Sequence, residues 1–525
     1  MARPLFTCFL LTLALLGCKA EAIPADYALT LQQSDLLVNS GNDGSHWEGW
    51  GTSLCWWANR TGYSPVLTEA AAKTFFSAQD GLGLNIMRYN VGGGDDPEHH
   101  HITRTDSDVP GWLYLDAGTG AQTYRYDADS CQLNILRAGV KAAGDEAYVE
   151  VFSNSPPYFM TNSGCSTGNF KAGENNLRDD AYPAFAEYMA HVTDYMVRTM
   201  KLPVKSVSPM NEPNTNYWGA MSNKQEGCHF DAGEAQSRIL VETAKALKSK
   251  GLEDLVLVAS DETNPALQLE ELDKYTPEAR QVIDRISTHT YSTGKSRELG
   301  DRVRQEQLPL WMSETDGANT SGERAGEMGA GLWMAEKIIS DIRALRPSAW
   351  VMWQVIDTHV SANGWKGRRD SGPVRPARGF WGLAWADHDQ QQIFLTQKYY
   401  AMGQFTRYIR PGADLILSEL TSAAPTESSE AGPAGNKPAC QTLSAWNERT
   451  GQLTVVLTNA SATARTVAVN AAAFGIRKAA VTAYRTSGSM AEGEHWAEIP
   501  QAAARKGAFY ATLAPNSVTT FVIQK

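Results

Sequence analysis

Apolar residues along this chain follow two rhythms. Between residues 47 and 356, short apolar runs alternate with longer stretches in which apolar positions recur at helical spacing. The runs are 47–56, 84–91, 147–153, 204–210, 255–259, 285–291, 308–313 and 349–356. Helix-like segments such as 182–200, 232–250 and 323–345 lie between them. Alternation of this kind predicts βα units around a parallel sheet, and eight units predict a closed barrel. From first strand to last the chain is longer than the roughly 250 residues of a plain barrel. The excess lies in the first four loops, rich in Gly, Asn, Asp and Ser. Long loops at one end of a barrel are where a cleft would be built.

After Ile409-Arg410-Pro411-Gly412 the helical signals stop. Short runs at 414–419, 441–446, 452–457, 466–470, 480–484, 508–512 and 517–523, separated by turns such as Arg449-Thr450-Gly451, predict a β-sandwich. Residues 27–38 read as one or two short strands before the polar turn Asn39-Ser40-Gly41-Asn42, and 423–438 as a mobile loop within the sandwich. The expected fold class is α/β: a (β/α)8 TIM barrel over 43–408 with an appended antiparallel β-sandwich over 409–525 and N-terminal strands at 24–42.

The remaining composition narrows the partners. The 525 residues are 42% hydrophobic and 20% charged with a net charge of -11, and an acidic chain is a poor partner for nucleic acid. With 15 Trp, 19 Tyr and 15 Phe, it suits a protein that stacks flat uncharged ligands such as sugar rings, or one with a plain large core. Arg3 and the apolar stretch 5–16 form an export signal over residues 1–18. Its end, Leu15-Leu16-Gly17-Cys18, resembles a lipoprotein signal cut before a lipidated Cys18; the alternative is an ordinary secretory cut near Ala20-Glu21-Ala22. The expected location is periplasmic, outer-membrane-anchored or extracellular, with membrane contact only through Cys18. Five cysteines follow, and Cys165 and Cys228, both in Gly-rich loops, are the candidate disulfide pair.

Two carboxylates stand out by position. Val207-Ser208-Pro209-Met210-Asn211-Glu212-Pro213 ends the fourth predicted strand, and Trp311-Met312-Ser313-Glu314 ends the seventh. They are three units of roughly 34 residues apart, close to the barrel period, so both point into one mouth from opposite sides. Cleaving a glycosidic bond requires a proton for the leaving oxygen and a carboxylate to capture the oxocarbenium-like carbon. The charge of one carboxylate raises the pKa of the other and keeps it protonated as the acid. Asp261-Glu262, ending the fifth strand, is a rival pair that reads as rim or supporting residues. Trp56, Trp57, Tyr158, Tyr217, Trp218 and Trp353 fall at or past strand ends, where an indole or phenol can face a pyranose. Trp353 is the best candidate floor. His99-His100-His101 lacks the spacing of a metal site, and Gly92-Gly93-Gly94 lacks the Lys-Ser/Thr of a phosphate loop, so no metal and no cofactor are expected.

These segments together resemble glycoside hydrolase family 30 of clan A. The resemblance rests on Gly49-Trp50-Gly51-Thr52-Ser53, Arg88-Tyr89-Asn90-Val91-Gly92, Ser153-Asn154-Ser155-Pro156-Pro157, Met210-Asn211-Glu212-Pro213-Asn214, Ser313-Glu314, Lys398-Tyr399-Tyr400 and Ser517-Val518-Thr519-Thr520-Phe521. It implies a retaining glycosidase, with Glu212 as acid/base and Glu314 as nucleophile about 5–5.5 Å apart. It also implies that the N-terminal strands join the C-terminal ones in one side domain. Asn211 would bond the 2-OH of the -1 sugar, and Arg88 would hold the nucleophile. His289 and Tyr291 would contact the nucleophile or that sugar. Trp56, Asn90, Asn154, Tyr217 and Trp353 complete the substrate-binding set. Within the family the chain looks most like the endo-β-1,6-galactanases, which cut β-1,6-galactan side chains of arabinogalactan. β-1,6-Glucanase and xylanase are the alternatives inside the family, and a non-catalytic surface carbohydrate-binding protein is the alternative outside it.

Overall fold

A computed structural model describes residues 25–37, 46–94, 101–317, 320–321, 323–370, 379–422 and 438–525. The leader with Cys18, His99, His100 and nearly all of the predicted loop at 423–438 lie outside the described residues.

The eight apolar runs form the barrel. Gly49–Ser53, Ile86–Asn90, Tyr148–Phe152, Val204–Ser208, Val256–Glu262, Arg285–His289, Leu310–Glu314 and Ala349–Met352 close in sequence order, each parallel to its neighbours. We number them one to eight. The interior is not a stack of branched aliphatics: Arg88, Glu150 and Arg285 sit in its middle, fully desolvated, with Arg285 lying 3.5 Å over the Trp311 ring. Local chemistry sets the outer helices. Pro265–Lys274 begins with proline, and Asn264 caps it by accepting from the Ala266 and Leu267 amides. Ser64 and Pro65 start Pro65–Ala71 in the same way. Among the described residues, no helix is long and apolar enough to cross a membrane.

One run is shorter in the fold than in the sequence. Strand eight stops at Met352, and Ile356–Val360 is a separate strand that pairs with Ala384–Asp387, itself paired with Gln392–Leu395. The chain bends at Trp353-Gln354, where the apolar pattern continues but the barrel ends.

The C-terminal runs build two six-stranded sheets around a second apolar core. Tyr27–Thr30 lies between Leu420–Ser422 and Arg465–Asn470, antiparallel to the first and parallel to the second. That parallel pairing departs from the purely antiparallel sandwich expected. The sandwich is fixed to the barrel through two helices, Met328–Leu345 and Gln397–Thr406. Arg343 donates to the carbonyls of Ser418, Leu417 and Thr442. The Trp496 indole donates to the Tyr400 carbonyl, 2.7 Å away.

Candidate active site

Glu212 and Glu314 meet at the C-terminal mouth of the barrel. Glu314 ends strand seven, and Glu212 follows strand four. One oxygen of each and a ring nitrogen of His289 lie within 4.8 Å of one another. His289 ends strand six. Its Nδ1 is 3.0 Å from Glu212 Oε1 and 3.5 Å from Glu314 Oε1, and its Nε2 is 3.3 Å from Asp261 Oδ1.

Each glutamate has its own holder. The Tyr217 hydroxyl donates to Glu212 Oε2 at 2.6 Å, and the Tyr291 hydroxyl to Glu314 Oε1 at 2.9 Å. Arg88 Nη1 donates to Glu314 Oε2 at 3.0 Å. The Glu212 backbone lies at φ 46°, a region costly for a residue with a Cβ. It is held there from both sides: its N–H donates to the Asp261 carbonyl, and its own carbonyl accepts from Thr215 Oγ1 and Trp218 Nε1. Trp218 fits because residue 227 is glycine; a Cβ there would stand 2.1 Å from the indole.

Below the pair runs a chain of buried ions: Arg285 with Glu150, Glu150 with Arg88, Arg88 with Asp261 and Glu314, and His289 with Asp261, Glu314 and Glu212. Burial opposes a charged His289, but the Glu314, Asp261 and Glu212 carboxylates outweigh it and lift the imidazole to about 10. Burial likewise opposes ionisation of Asp261, and Arg88 and His289 reverse it, holding Asp261 far below the usual carboxylate range. Counting His289 as a cation, the chain holds four carboxyls and three cations. Electroneutrality in a desolvated cluster is met when one proton remains on the catalytic pair. Burial pushes Glu314 up to about 7 against the pull of His289 and Arg88. Burial raises Glu212 as well, but the His289 and Tyr217 hydrogen bonds prevail and keep it below the ordinary value. The expected lift is therefore present in the free protein, but it falls on Glu314 rather than on the expected acid.

Most of the expected residues gather here. Trp56 and Trp353 pack edge to face, centroids 4.9 Å apart, and the Trp353 amide donates to Thr315 beside Glu314. Asn211 and Asn154 are buried at the mouth, each with its side-chain oxygen unpartnered. One expected ligand acts instead as a support. Asn90 is fully buried and spends its amide on Glu226 Oε2 and the Asn154 N–H. Arg88 is also fully buried, its donors taken by Glu150, Ser53, the Ser313 carbonyl, Asp261 and Glu314. Neither side chain has a free group to offer a sugar. Of the two readings for Asp261-Glu262, the structure shows the supporting one: Asp261 is the centre of the ion chain, and Glu262 accepts from the Asn214 amide and from Gln236. Cys165 and Cys228 are free thiols: Cys165 Sγ is 3.1 Å from His101 Nε2, and Cys228 Sγ points to the His229 carbonyl. The local turns aim the two sulfurs at different partners. His101 therefore braces a loop.

Glu212, His289 and Glu314 also have the proximity of a metal site. A protonated imidazole, however, has no lone pair for an ion, and the carboxylates around His289 favour that form. Sequence reasoning missed Glu226, which is buried and pushed by that burial to about 8. It accepts from Asn90 and from the Gly93 and Gly94 amides, tying the strand-four loop to strand two. Its position in Gln225-Glu226-Gly227 gives no such signal. Glu150 and Arg285 did leave one, as charges inside apolar strand runs.

Residues 34–365 match the O-glycosyl hydrolase family 30. The chain is a family 30 glycoside hydrolase. It is similar to an endo-β-1,6-galactanase of Hypocrea rufa, 29% identical over 435 residues that cover 79% of this chain and 80% of the relative. It is also similar to an exo-β-1,6-galactobiohydrolase of Bifidobacterium longum subsp. longum, 27% identical over 63% of this chain. The hydrolase spans only 27% of that longer relative. Its fold is shared by the catalytic domain of a family 30 xylanase C from Talaromyces cellulolyticus, with a TM-score of 0.67, 19% identity and coverage of 95% of this chain and 100% of the xylanase. An endo-β-1,6-glucanase aligns with a TM-score of 0.64 at 16% identity, covering 96% of each chain. Membership in this family sets aside the non-catalytic binding protein: the chain is an O-glycoside hydrolase acting on a polysaccharide.

Proposed function

We propose that this hydrolase is an exported, retaining endo-β-1,6-galactanase acting on the β-1,6-galactan side chains of arabinogalactan, with Glu212 as acid/base and Glu314 as nucleophile. The roles are supported by the approach of the two carboxyls within 4.8 Å, on the side of about 5–5.5 Å that suits direct attack rather than the roughly 6.5–9.5 Å that admits a water. The Arg88 and Tyr291 donors on Glu314 favour its ionised form, while Glu212 faces the half-exposed Tyr217 on the open side. In the free protein the pair's single proton rests on Glu314, so the reacting form is the tautomer in which it has moved to Glu212. From there it passes to the glycosidic oxygen as the ionised Glu314 bonds the anomeric carbon. Water then attacks that carbon, gives its proton to Glu212, and releases Glu314. The galactan substrate is supported by the similarity to the Hypocrea rufa galactanase, and export by the leader at 1–18.

The test is digestion of β-1,6-galactan, β-1,6-glucan and β-xylan by protein lacking its leader, with products resolved by size and the first anomer read by proton NMR. Short β-1,6-galacto-oligosaccharides, first released as the β-anomer, are expected. Release from glucan or xylan alone overturns the substrate, and an α-anomer overturns the mechanism.

A further inference from the structure

Strand eight ends one residue before Trp353, and the next residue, Gln354, is 1% exposed. Among the described residues its Nε2 has no hydrogen-bond partner, and its Oε1 meets only the Trp56 amide, at 3.5 Å. That is the outer limit of a hydrogen bond. At the neighbouring Cys55, Asn154 donates through Nδ2 to Sγ at 3.3 Å, and among the described residues its Oδ1 is unpartnered. Two amides that follow strands three and eight thus contact the adjacent residues Cys55 and Trp56, each with one buried polar atom unmet. Cys55 and Trp56 belong to a buried apolar cluster with Phe152 and Trp353, the residues next but one before Asn154 and next before Gln354 in the chain. An unmet buried polar atom is costly and calls for an explanation; others occur elsewhere in this molecule, but these two lie beside Trp353 and Trp56 at the barrel mouth. Depth does not remove them from a ligand's reach: Glu314 is only 3% exposed.

We infer that Gln354 is a specificity-determining residue. With Asn154 it grips ring hydroxyls of the sugar seated against Trp353, and its amide decides which hydroxyl configuration is accepted. A sugar ring has the matching chemistry: an apolar C–H face for the indoles and hydroxyls that both donate and accept. The inference rests on the proposed glycanase site but not on galactan being its substrate. A site built to hydrogen-bond a hydroxyl discriminates strongly against a ring that does not present it, because its own polar groups then stay unpaired.

The test compares wild type with Gln354→Met, which keeps the length and removes the hydrogen bonds, and with Gln354→Glu, which keeps an acceptor and removes the donor. Three readouts are taken: thermal midpoint, kcat and KM on galacto- and gluco-configured β-1,6-oligosaccharides, and product binding by NMR titration of galactose and glucose. Gln354→Met is expected to keep or raise the midpoint, because it removes an unmet buried group. Its kcat/KM on the preferred sugar should fall at least tenfold, with the preference between sugars moving toward one. Galactose and glucose should bind it with nearly equal affinity. A lower midpoint, with activity lost only in proportion to the unfolded fraction, would mean that Gln354 merely braces Trp56, and would overturn the inference. So would an unchanged preference in turnover and in product binding. If wild type cuts glucan and not galactan, the galactanase proposal fails, and the same variants test Gln354 from the other side. If it cuts neither, the product titrations decide alone.

Discussion

Tyr217→Phe separates the two carboxyls in solution. The hydroxyl donates to Glu212 Oε2 at 2.6 Å, and the ring packs edge-on against Trp218, 4.6 Å between centroids. Phenylalanine keeps that packing and deletes one donor. A hydrogen bond to an ionised acceptor is worth about 1.5–3 kcal/mol. Tyr217 is 50% exposed, so solvent screening reduces this to about 1–1.5 kcal/mol, about one pH unit. The bond stabilises the carboxylate, so its loss raises the Glu212 pKa. The active pair carries one proton. The acid limb of kcat/KM therefore reports the first proton lost, mainly from Glu212, and the alkaline limb the second, near the value of about 7 to which burial drives Glu314. Tyr217→Phe should move the acid limb up by about one unit and leave the alkaline limb in place. Tyr291→Phe, losing the 2.9 Å bond to Glu314, should move the alkaline limb up and spare the acid limb. The assay is kcat/KM against pH for wild type and both variants on one soluble oligosaccharide. If both substitutions shift the same limb, the two glutamates do not hold their protons as described.

Glu314→Gln should reduce turnover by at least about a thousandfold while circular dichroism stays that of the folded protein; activity within tenfold of wild type would assign the nucleophile elsewhere. Gly227→Ala places a methyl where the Trp218 indole lies, 2.1 Å away, and should cost about 1–3 kcal/mol of stability with a lower kcat, because the same indole donates to the Glu212 carbonyl; a wild-type thermal midpoint would show that the indole is free to shift. Asp129 is buried, and burial drives its pKa from 3.8 to about 7, against the Tyr89 and Gln132 hydrogen bonds. A carboxyl whose pKa is raised by folding is harmless below about 3.9 and costs stability as pH rises through the folded value. Asp129→Asn should therefore gain on the order of 2–4 kcal/mol at pH 8 and nothing at pH 3 in denaturant unfolding, and a gain equal at both would refute the linkage.

The barrel was legible because its strands are apolar runs bounded by turn residues, and the period of the runs places strand ends by arithmetic. That was enough to bring Glu212 and Glu314 to one mouth. The supports were less legible for a physical reason. Asp261 serves through the direction of its side chain, inward to Arg88 and His289, and a strand-end position alone does not say whether a carboxylate points to the rim or the axis. The family resemblance placed Asn90 among the sugar ligands, yet its amide is consumed by Glu226, 136 residues later in the sequence, which no local pattern connects to it. The disulfide failed similarly: two cysteines in Gly-rich loops satisfy composition, but a bridge depends on where each sulfur points, and Cys165 turns to His101. The short strands at Ile356–Val360 and Ala384–Asp387 were hidden because one apolar run crosses the bend that ends the barrel.

Several of this molecule's costs fall where the chemistry is. Glu212 sits at a positive φ, four carboxyls crowd three cations in a buried cluster, and Asn154, Asn211 and Gln354 each bury a polar atom unmet among the described residues. Each costs on the order of 1–3 kcal/mol, comparable in sum to the net stability of a whole domain. Such a mouth persists because the layers around it are over-determined: buried Trp50, Trp57, Trp112, Trp311 and Trp350 pack in and around the barrel, and a second core in the sandwich braces two of its helices. Strain of this sort is useful only if the substrate relieves it. A sugar that fills the amides of Asn154 and Gln354 removes their cost on binding, while the odd proton of the carboxyl pair leaves with the glycosidic oxygen. The ordering of effects follows: substitutions that make the empty mouth more stable should be those that make the loaded mouth less selective.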